Sequence, residues 1–407
     1  MKSLSWRTVL ISLLLLKLVF HFATNGIWSV HRDALLYLAL GRHLDWGYAS
    51  VPPLISGFAW IATHVLGGSV HAVRFLPTVF ATATVLLTGL MAIEFLPQRR
   101  DASCAKFAVL LVGLAGLLSG GFLRPGMLFQ PVVFDIFFWT LLCWIFLKYV
   151  KTERSQWLLW FGVAAGFGLL NKYTVLMFLF AMLPGLLLTQ HRRIFTQKHF
   201  YIGVALALIL VFPNIYWQYS HQFPVFRHMS ELAATQFVNV TRSGFFMDQL
   251  MFHLPALPVW MLGLYYLWVH PAGKPYRIFG WMYGMALAVL LFFNAKSYYS
   301  LGAYPVLIAA GAALWGVLAL RPWPKIALIA GMLIIGLPIM PVVLPVFPPD
   351  TEAAYVQKVV DKTGMDGMTR WEDGQQHPLP QDFADMLGRW GERRVGKECR
   401  FRWSPYH

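Results

Sequence analysis

The chain has 407 residues, of which 58% are hydrophobic, 16% aromatic and 13% charged, and its formal net charge is +15. Soluble domains carry about twice this fraction of charged residues, so the composition excludes a soluble globular protein. It does not favour a nucleic-acid-binding protein either. Most basic residues lie in short loops between apolar runs, where the positive-inside rule of membrane proteins places them.

Apolar runs of about twenty residues recur along the chain, and each predicts a transmembrane helix. We predict an all-α polytopic membrane protein with about 11 transmembrane helices, at residues 8–28, 70–95, 104–121, 131–149, 157–170, 174–189, 200–217, 250–269, 276–293, 302–319 and 325–346. The fifth and sixth are short and could form one broken hairpin around residues 171–173. The prolines between positions 338 and 349 predict the end of the last helix. Lys17 and His21 in the first helix are expected to be neighbours at a helix interface.

Alternate loops are short and basic, which predicts that they are cytoplasmic. Their basic residues are Lys2, Arg7, Arg99, Arg100, Lys106, Lys148, Lys151, Arg154, Arg192, Arg193, Lys198, Lys274, Arg277, Arg321 and Lys325. The N-terminus is therefore predicted inside, and the longer loops 29–69 and 218–249 outside.

The first outer loop concentrates ionisable residues in a chain that has few of them. Between His31 and Leu54 lie Arg32, Asp33, Arg42, His43 and Asp45. We interpret this loop as the working surface, with Asp33 as its chemical residue. The alternative is a solvated interfacial loop with an amphipathic helix on the lipid.

Three more charged residues are predicted on the same outer side. Asp135 lies just inside the fourth span, and a carboxylate there is costly unless it faces protein, water or a cation. Lys172 and Lys296 lie in short outer turns. The structural alternatives are that Asp135 pairs with Arg124 or Lys172, and that the lysines extend to the membrane interface. The scattered cysteines show no metal-site spacing, and no metal ligands are predicted.

Several short motifs resemble one family of membrane enzymes. They are Arg32-Asp33 to Tyr37, His43 to Tyr48, Pro52-Pro53, Phe129-Gln130-Pro131 to Asp135, Asn171-Lys172-Tyr173, Pro213-Asn214 with Trp217-Gln218, and Lys296-Ser297-Tyr298-Tyr299. With these motifs the chain resembles bacterial GT-C glycosyltransferases of the glycosyltransferase family 39, dolichyl-phosphate-mannose-protein mannosyltransferase and aminoarabinose-transferase-like group. Two positions depart from the family pattern. Ala34 stands where an acid follows Asp33, and Val51 stands where an acid or histidine precedes the Pro-Pro pair.

The resemblance implies a GT-C-like fold in the bacterial inner membrane and a site on its periplasmic or extracellular face. It implies transfer of a sugar, with inversion, from a polyprenyl-phosphate donor to a lipid, glycan or protein acceptor, with no certain cofactor and a possible divalent cation. Asp33 and Asp135 would be catalytic. The substrate-binding residues would be Arg32, Tyr37, His43, Tyr48, Lys172, Tyr173, Lys296, Tyr298 and Tyr299.

Two other functions stay open at this point. One is a catalytically degenerate relative that binds a lipid-linked sugar without transferring it, and the other is a polytopic transporter or flippase. The predicted organisation is a transmembrane domain over residues 1–347, a short extracytoplasmic segment over 348–392 and a non-native tail over 393–407.

Overall fold

The computed structural model describes residues 5–98, 101–318, 321–371 and 374–387. Predictions made for Lys2, Arg99, Arg100 and the tail 393–407 lie outside the described residues. Within those residues the chain is helical, and the β-structure is one isolated bridge between Arg370 and Gln376.

The α-helices follow one another along the chain with short connections. They are α1 Trp6–Thr24, α2 Arg32–Leu40, α3 Leu54–Trp60, α4 Val70–Phe95, α5 Ala102–Leu118, α6 Gly120–Leu123, α7 Pro131–Thr152, α8 Trp157–Asn171, α9 Thr174–Leu188, α10 Lys198–Ser220, α11 Pro224–Thr235, α12 Arg242–Met251, α13 Leu257–Trp268, α14 Arg277–Phe292, α15 Tyr304–Val317, α16 Pro322–Val343, α17 Pro349–Thr363 and α18 Gln381–Ala384. Short helical turns connect them, among them Arg124–Met127 before α7 and Ser297–Ala303 before α15.

The predicted number of eleven spanning helices is not confirmed. Among the described residues, seven helices are long and apolar enough to cross a membrane, or up to ten if each of three bent helix pairs is one span. The helix α8 has only 15 residues, which at about 1.5 Å per residue is shorter than the roughly 30 Å hydrocarbon core. Each predicted apolar run nevertheless contains a helix. The chain is a multi-pass membrane protein.

The last spanning helix ends within the proline-rich stretch 338–349, as predicted, but not at its first prolines. Helix α16 continues to Val343 through Pro338 and Pro341. A spanning helix tolerates internal prolines because neighbouring helices and local adjustments satisfy the freed backbone groups. The chain then turns back in α17, whose C-terminal Gly364 adopts a left-handed φ of 66°.

The core lies between helices that approach each other at glycines. A Cβ atom on Gly263 of α13 would meet the Leu307 carbonyl of α15, and one on Gly311 of α15 would meet the Val259 carbonyl of α13. Small residues allow such close backbone packing, which drives helix association where lipid offers no hydrophobic force. At the periphery, α10 and α16 expose large apolar side chains such as Ile209, Phe212 and Ile334, as lipid-facing helices do.

Polar side chains connect helices at two places. Lys17 is buried, lies 3.1 Å from His21 Nε2 and donates to the carbonyls of Gly116 and Phe122, which confirms that Lys17 and His21 are neighbours at a helix interface. On the predicted cytoplasmic side, Glu94 of α4 pairs with Lys148 and Lys151 of α7 at 2.8 and 3.0 Å.

Candidate active site

The first turn of α2 presents Asp33. His31 caps this helix, and its Nδ1 accepts the Asp33 N–H at 3.1 Å. The Asp33 side chain is 45% exposed, and its Oδ2 accepts a hydrogen bond of 3.0 Å from Gln130 Nε2. Gln130 directly precedes Pro131, which starts α7 and has the fixed φ suited to a first helical position. The start of α7 thus orients a carboxylate that remains open to solvent on its other side.

The charges around Asp33 have opposing effects on its pKa. Burial raises the pKa of Asp33, the positive charges of His31 and Arg32 lower it, and the neighbouring Asp385 and Asp382 raise it, so that the net pKa is raised. A carboxylate with a raised pKa is a better proton acceptor than an ordinary aspartate, provided that it is ionised at the working pH. The electrostatics of Asp33 therefore suit a general base.

Two lysines and two tyrosines form a second group, called here the lysine–tyrosine patch: Lys172, Lys296, Tyr298 and Tyr299. Lys172 Nζ lies 4.3 Å from the Tyr299 ring centroid and 5.4 Å from that of Tyr298. Lys296 Nζ lies 5.9 Å from the Tyr298 centroid. Ring faces attract ammonium groups at these distances, so the tyrosines hold both lysines close together. The structure thus brings together four residues that are up to 127 positions apart, as the sequence predicts for a common face.

Tyr37 lies near both Asp33 and the lysine–tyrosine patch. It lies one helical turn after Asp33 on α2, where side chains share a face. Burial raises the pKa of Tyr37, and the nearby Asp33 and Tyr299 raise it further. Asp33 and Tyr299 therefore both lie close enough to Tyr37 to raise its pKa.

Asp135 lies inside the protein rather than at an open surface. It is 3% exposed, on the first turns of α7, and it interacts electrostatically with Lys172. Neither pairing considered from the sequence is present as an ion pair among the described residues, although the charge of Lys172 acts on Asp135. Arg124 instead forms an ion pair with Asp382. The catalytic role of Asp135 stays a prediction.

Tyr48 and His43 lie apart from the lysine–tyrosine patch, in the turn that follows α2. The Tyr48 hydroxyl donates to the His43 carbonyl at 2.8 Å and accepts the Asp45 N–H at 3.0 Å. The Tyr48 hydroxyl thus stabilises this turn. These contacts give Tyr48 a structural role, and substrate binding by Tyr48 and His43 stays a prediction.

The same turn is attached to the end of α10. Asp45 Oδ2 accepts from Trp217 Nε1 at 2.8 Å, and Asn214 Nδ2 donates to the Trp46 carbonyl at 2.8 Å. The Tyr173 hydroxyl donates to Asn214 Oδ1 at 2.8 Å. The motif around Asn214 and Trp217 therefore anchors the first outer loop, and Tyr173 supports that anchor.

The two departures from the family pattern lie at one apolar cluster. Ala34 is 1% exposed and belongs to a cluster with Ile55 and Ala59, and Val51 packs against its edge. Both positions therefore carry small or apolar side chains that suit this cluster. A carboxylate at position 34 would be buried among apolar groups.

Sequence reasoning missed two residues of the site. Asp382 and Asp385 lie about 350 positions after Asp33, and their carboxylates face His31 Nε2 at 3.6 and 3.4 Å. No motif marks them, and only their negative charge after the last apolar run could have drawn attention to them. Within the described residues, no group of three or more His, Cys, Asp and Glu side chains is arranged to hold a metal ion.

Comparisons with known proteins show which sequences and structures the chain resembles. Residues 50–217 match the family model described as dolichyl-phosphate-mannose-protein mannosyltransferase. Over 202 residues the chain is 26% identical to the lipid A galacturonosyltransferase RgtD of Rhizobium johnstonii. The aligned region covers 49% of this chain and 41% of RgtD.

Solved structures share the architecture. ArnT from Cupriavidus metallidurans, bound to undecaprenyl phosphate, superposes with a TM-score of 0.64 and 18% identity over 87% of this chain and 68% of ArnT. The archaeal oligosaccharyltransferase AglB from Archaeoglobus fulgidus, in complex with an inhibitory peptide and a dolichol-phosphate, gives a TM-score of 0.51 with 12% identity over 86% of this chain and 59% of AglB. The chain has the GT-C fold.

The predicted GT-C resemblance and the all-helical polytopic fold are thus confirmed. The GT-C match is incomplete in length. The chain aligns with less than half of the galacturonosyltransferase, 41% of its residues, and with 64% of ArnT in its apo state.

Proposed function

We propose that this chain is an integral-membrane glycosyltransferase. It moves a hexosyl or pentosyl group from a polyprenyl-phosphate donor to an extracytoplasmic acceptor, with inversion. One observation carries the proposal: the exposed carboxylate of Asp33 and the Tyr299 ring beside Lys172 both lie near Tyr37. A base and cations for a phosphate therefore lie on one face. The undecaprenyl phosphate in ArnT and the lipid A acceptor in the name of RgtD support the donor and acceptor classes.

The residues suggest a single displacement. An acceptor hydroxyl or amine gives its proton to Asp33 and attacks the anomeric carbon opposite the phosphate. The bond from this carbon to the phosphate oxygen breaks, and its electron pair leaves with the polyprenyl phosphate. Lys172 and Lys296 stabilise the charge that grows on the departing phosphate. One carboxylate and one cationic patch are sufficient for this chemistry.

The other predicted residues have supporting roles in this proposal. The negative charge of buried Asp135 favours the ammonium group of Lys172, which lies beside Tyr299. Tyr48 stabilises the turn after α2, and Tyr173 supports Asn214, which holds that turn on α10. A divalent cation stays a prediction, and transfer assays with and without a chelator test it.

The site is proposed to lie on the periplasmic or extracellular face of the bacterial inner membrane, with the N-terminus in the cytoplasm. Basic loops resist translocation, so those around Arg154 and Arg192 stay inside. Single cysteines introduced at positions 45 and 192 are labelled in intact cells with a reagent that does not cross the membrane. Labelling of position 45 alone supports the orientation, and labelling of position 192 alone reverses it.

The central experiment compares lipids, glycans and glycoproteins by mass spectrometry in cells with and without the gene. A sugar adduct that disappears identifies donor and acceptor together. Transfer is then reconstituted in membranes supplied with that polyprenyl-phosphate sugar, for the wild type and Asp33→Asn. The proposal requires transfer by the wild type and its loss in the variant. Binding of the donor without transfer would indicate an inactive relative, and movement of the intact donor across the membrane would indicate a flippase.

A further inference from the structure

The segment that follows α17 returns to the transmembrane helices and packs beside α2. Leu379, Phe383 and Met386 are each at most 4% exposed, in a cluster with Trp28 of the chain after α1 and Leu344 of the chain after α16. Buried apolar side chains of this size fix a segment in place, since exposing them to water is unfavourable. The segment is therefore a fixed wall of the site.

This wall places Asp385 against both residues that precede Asp33. Asp385 Oδ2 lies 3.1 Å from Arg32 Nε and 3.4 Å from His31 Nε2. The Asp385 carbonyl also accepts the Arg32 N–H at 3.2 Å. One residue of the C-terminal segment thus holds the start of α2 through both a side chain and a backbone contact.

Asp382, three positions before Asp385, also contacts His31. Its Oδ1 lies 3.6 Å from His31 Nε2, and its Oδ2 pairs with Arg124. Asp382 therefore connects His31 to the helical turn Arg124–Met127, which leads into Gln130 and α7. The two elements that orient Asp33, namely the start of α2 and the start of α7, are both tied to the same segment.

His31 transmits this restraint to Asp33. Carboxylates lie at both edges of its ring, because Nδ1 is 3.9 Å from Asp33 Oδ2 and Nε2 faces Asp382 and Asp385. A neutral ring accepts the Asp33 N–H at Nδ1, and a charged ring turns the same edge into a donor towards the Asp33 carboxylate. In either state the Nδ1 edge interacts with Asp33 as long as Nε2 is held from the other side.

We propose that Asp382 and Asp385 are positioning residues for Asp33, acting through His31 and Arg32. The proposal rests on the proposed function, in which Asp33 is the base. It means that residues far beyond the motifs of the GT-C resemblance complete the catalytic arrangement. Neither aspartate touches the lysine–tyrosine patch in the described contacts, so the pair acts on the chemical step and leaves binding of the donor phosphate unchanged.

The test measures kcat, KM for the polyprenyl-phosphate sugar and binding of undecaprenyl phosphate by the full-length protein. We expect Asp385→Asn to lower kcat about 10- to 100-fold, the loss that a small misplacement of a reacting group can cause, while KM and binding stay within about twofold. Asp385→Glu keeps the carboxylate and should recover most of the rate. Asp361→Asn removes an exposed carboxylate of α17 away from the site and should behave as the wild type.

Thermal unfolding in detergent checks that each variant is folded. If Asp385→Asn fails to fold, Asp382→Asn takes its place, because Asp385 then still holds Arg32. An unchanged kcat in the folded variant overturns the proposal. So does tighter binding of undecaprenyl phosphate, which would mean that the carboxylates mask a cationic site. Asp33→Asn separates the two hypotheses: full activity in that variant contradicts the base itself, whereas its inactivity with normal Asp385→Asn contradicts only the positioning role.

Discussion

Gln130 Nε2 donates a hydrogen bond of 3.0 Å to Asp33 Oδ2, and this contact joins the first outer loop to the start of α7. The bond occupies one carboxylate oxygen and leaves the side chain 45% exposed. A general base needs this combination, because it must be held in one orientation and still meet the acceptor.

Removing the base should slow transfer more than removing its hydrogen-bond partner. Asp33→Asn should slow transfer about 10²–10⁴-fold, the usual worth of general-base assistance. Gln130→Leu removes a hydrogen bond to a charged group, worth about 1.5–3 kcal/mol, and should slow transfer by roughly one to two powers of ten. Initial transfer rates at saturating donor give the comparison between the two variants. The control is Gln156→Leu, which alters an exposed glutamine before α8. Full activity in Asp33→Asn would sink the base assignment.

The lysine–tyrosine patch should govern donor binding. Lys296→Ala should weaken binding of a polyprenyl phosphate by about 1.5–3 kcal/mol, because a charge-assisted hydrogen bond is lost. Lys325 is the matched control, since its Nζ lies 5.0 Å from the Phe107 ring centroid, away from the patch. Titration of both variants with undecaprenyl phosphate gives the comparison. Equal losses in the two variants would count against a specific role for Lys296.

Asp45 should matter much less to the reaction than Asp33. Its carboxylate accepts from Trp217 Nε1 and from the Trp46 N–H, so it anchors the loop. Asp45→Asn keeps one acceptor oxygen and loses one hydrogen bond to a charged group, worth about 1.5–3 kcal/mol to the loop. Because this bond anchors the loop and is not made to the reacting atoms, we expect kcat/KM to fall less than about tenfold. A loss as large as that of Asp33→Asn would place Asp45 in the chemistry.

An acidic residue at position 34 should destabilise the protein. The sequence suggests that Ala34→Glu restores a missing family acid, but the structure buries this position in an apolar cluster. A buried polar group without a partner costs about 1–3 kcal/mol, and a charged one more. Thermal unfolding should therefore show a clear loss of stability in Ala34→Glu. Ala39→Glu, on the exposed side of α2, should show little. A stable and more active Ala34→Glu enzyme would contradict this reading.

Stability should depend on pH through His31. Burial lowers the pKa of His31, but hydrogen bonds to Asp382 and Asp385 and the charges of Asp382 and Asp33 raise it from 6.5 to about 9. A raised pKa in the folded state means that the contribution is complete below the unfolded value of 6.5 and is lost as the pH rises through about 9. Thermal unfolding from pH 6 to 10 should show this decline in the wild type. The decline should be smaller in His31→Gln, and an identical profile would rule out His31 as its source.

The sequence by itself determined the class of protein and named most residues of the candidate site. Apolar runs predict spanning helices because the free energy of transferring a residue into lipid depends mainly on its own side chain. The motifs that carry the GT-C resemblance also placed Asp33, Tyr37, Lys172, Lys296, Tyr298 and Tyr299 on one face. Those predictions were possible because each residue lies near the end of a recognisable apolar run, and alternate ends share a side of the membrane.

Only the tertiary structure decided what these residues contact. Asp382 and Asp385 reach His31 across about 350 positions, and no local pattern encodes a contact of that separation. Likewise, the burial of Ala34 and the anchoring role of Tyr48 follow from packing against other segments. Hydropathy is a property of neighbouring residues in sequence, whereas the partner of a polar group is set by how helices pack. The sequence therefore predicts where the charged residues lie, and the packing determines which of them pair.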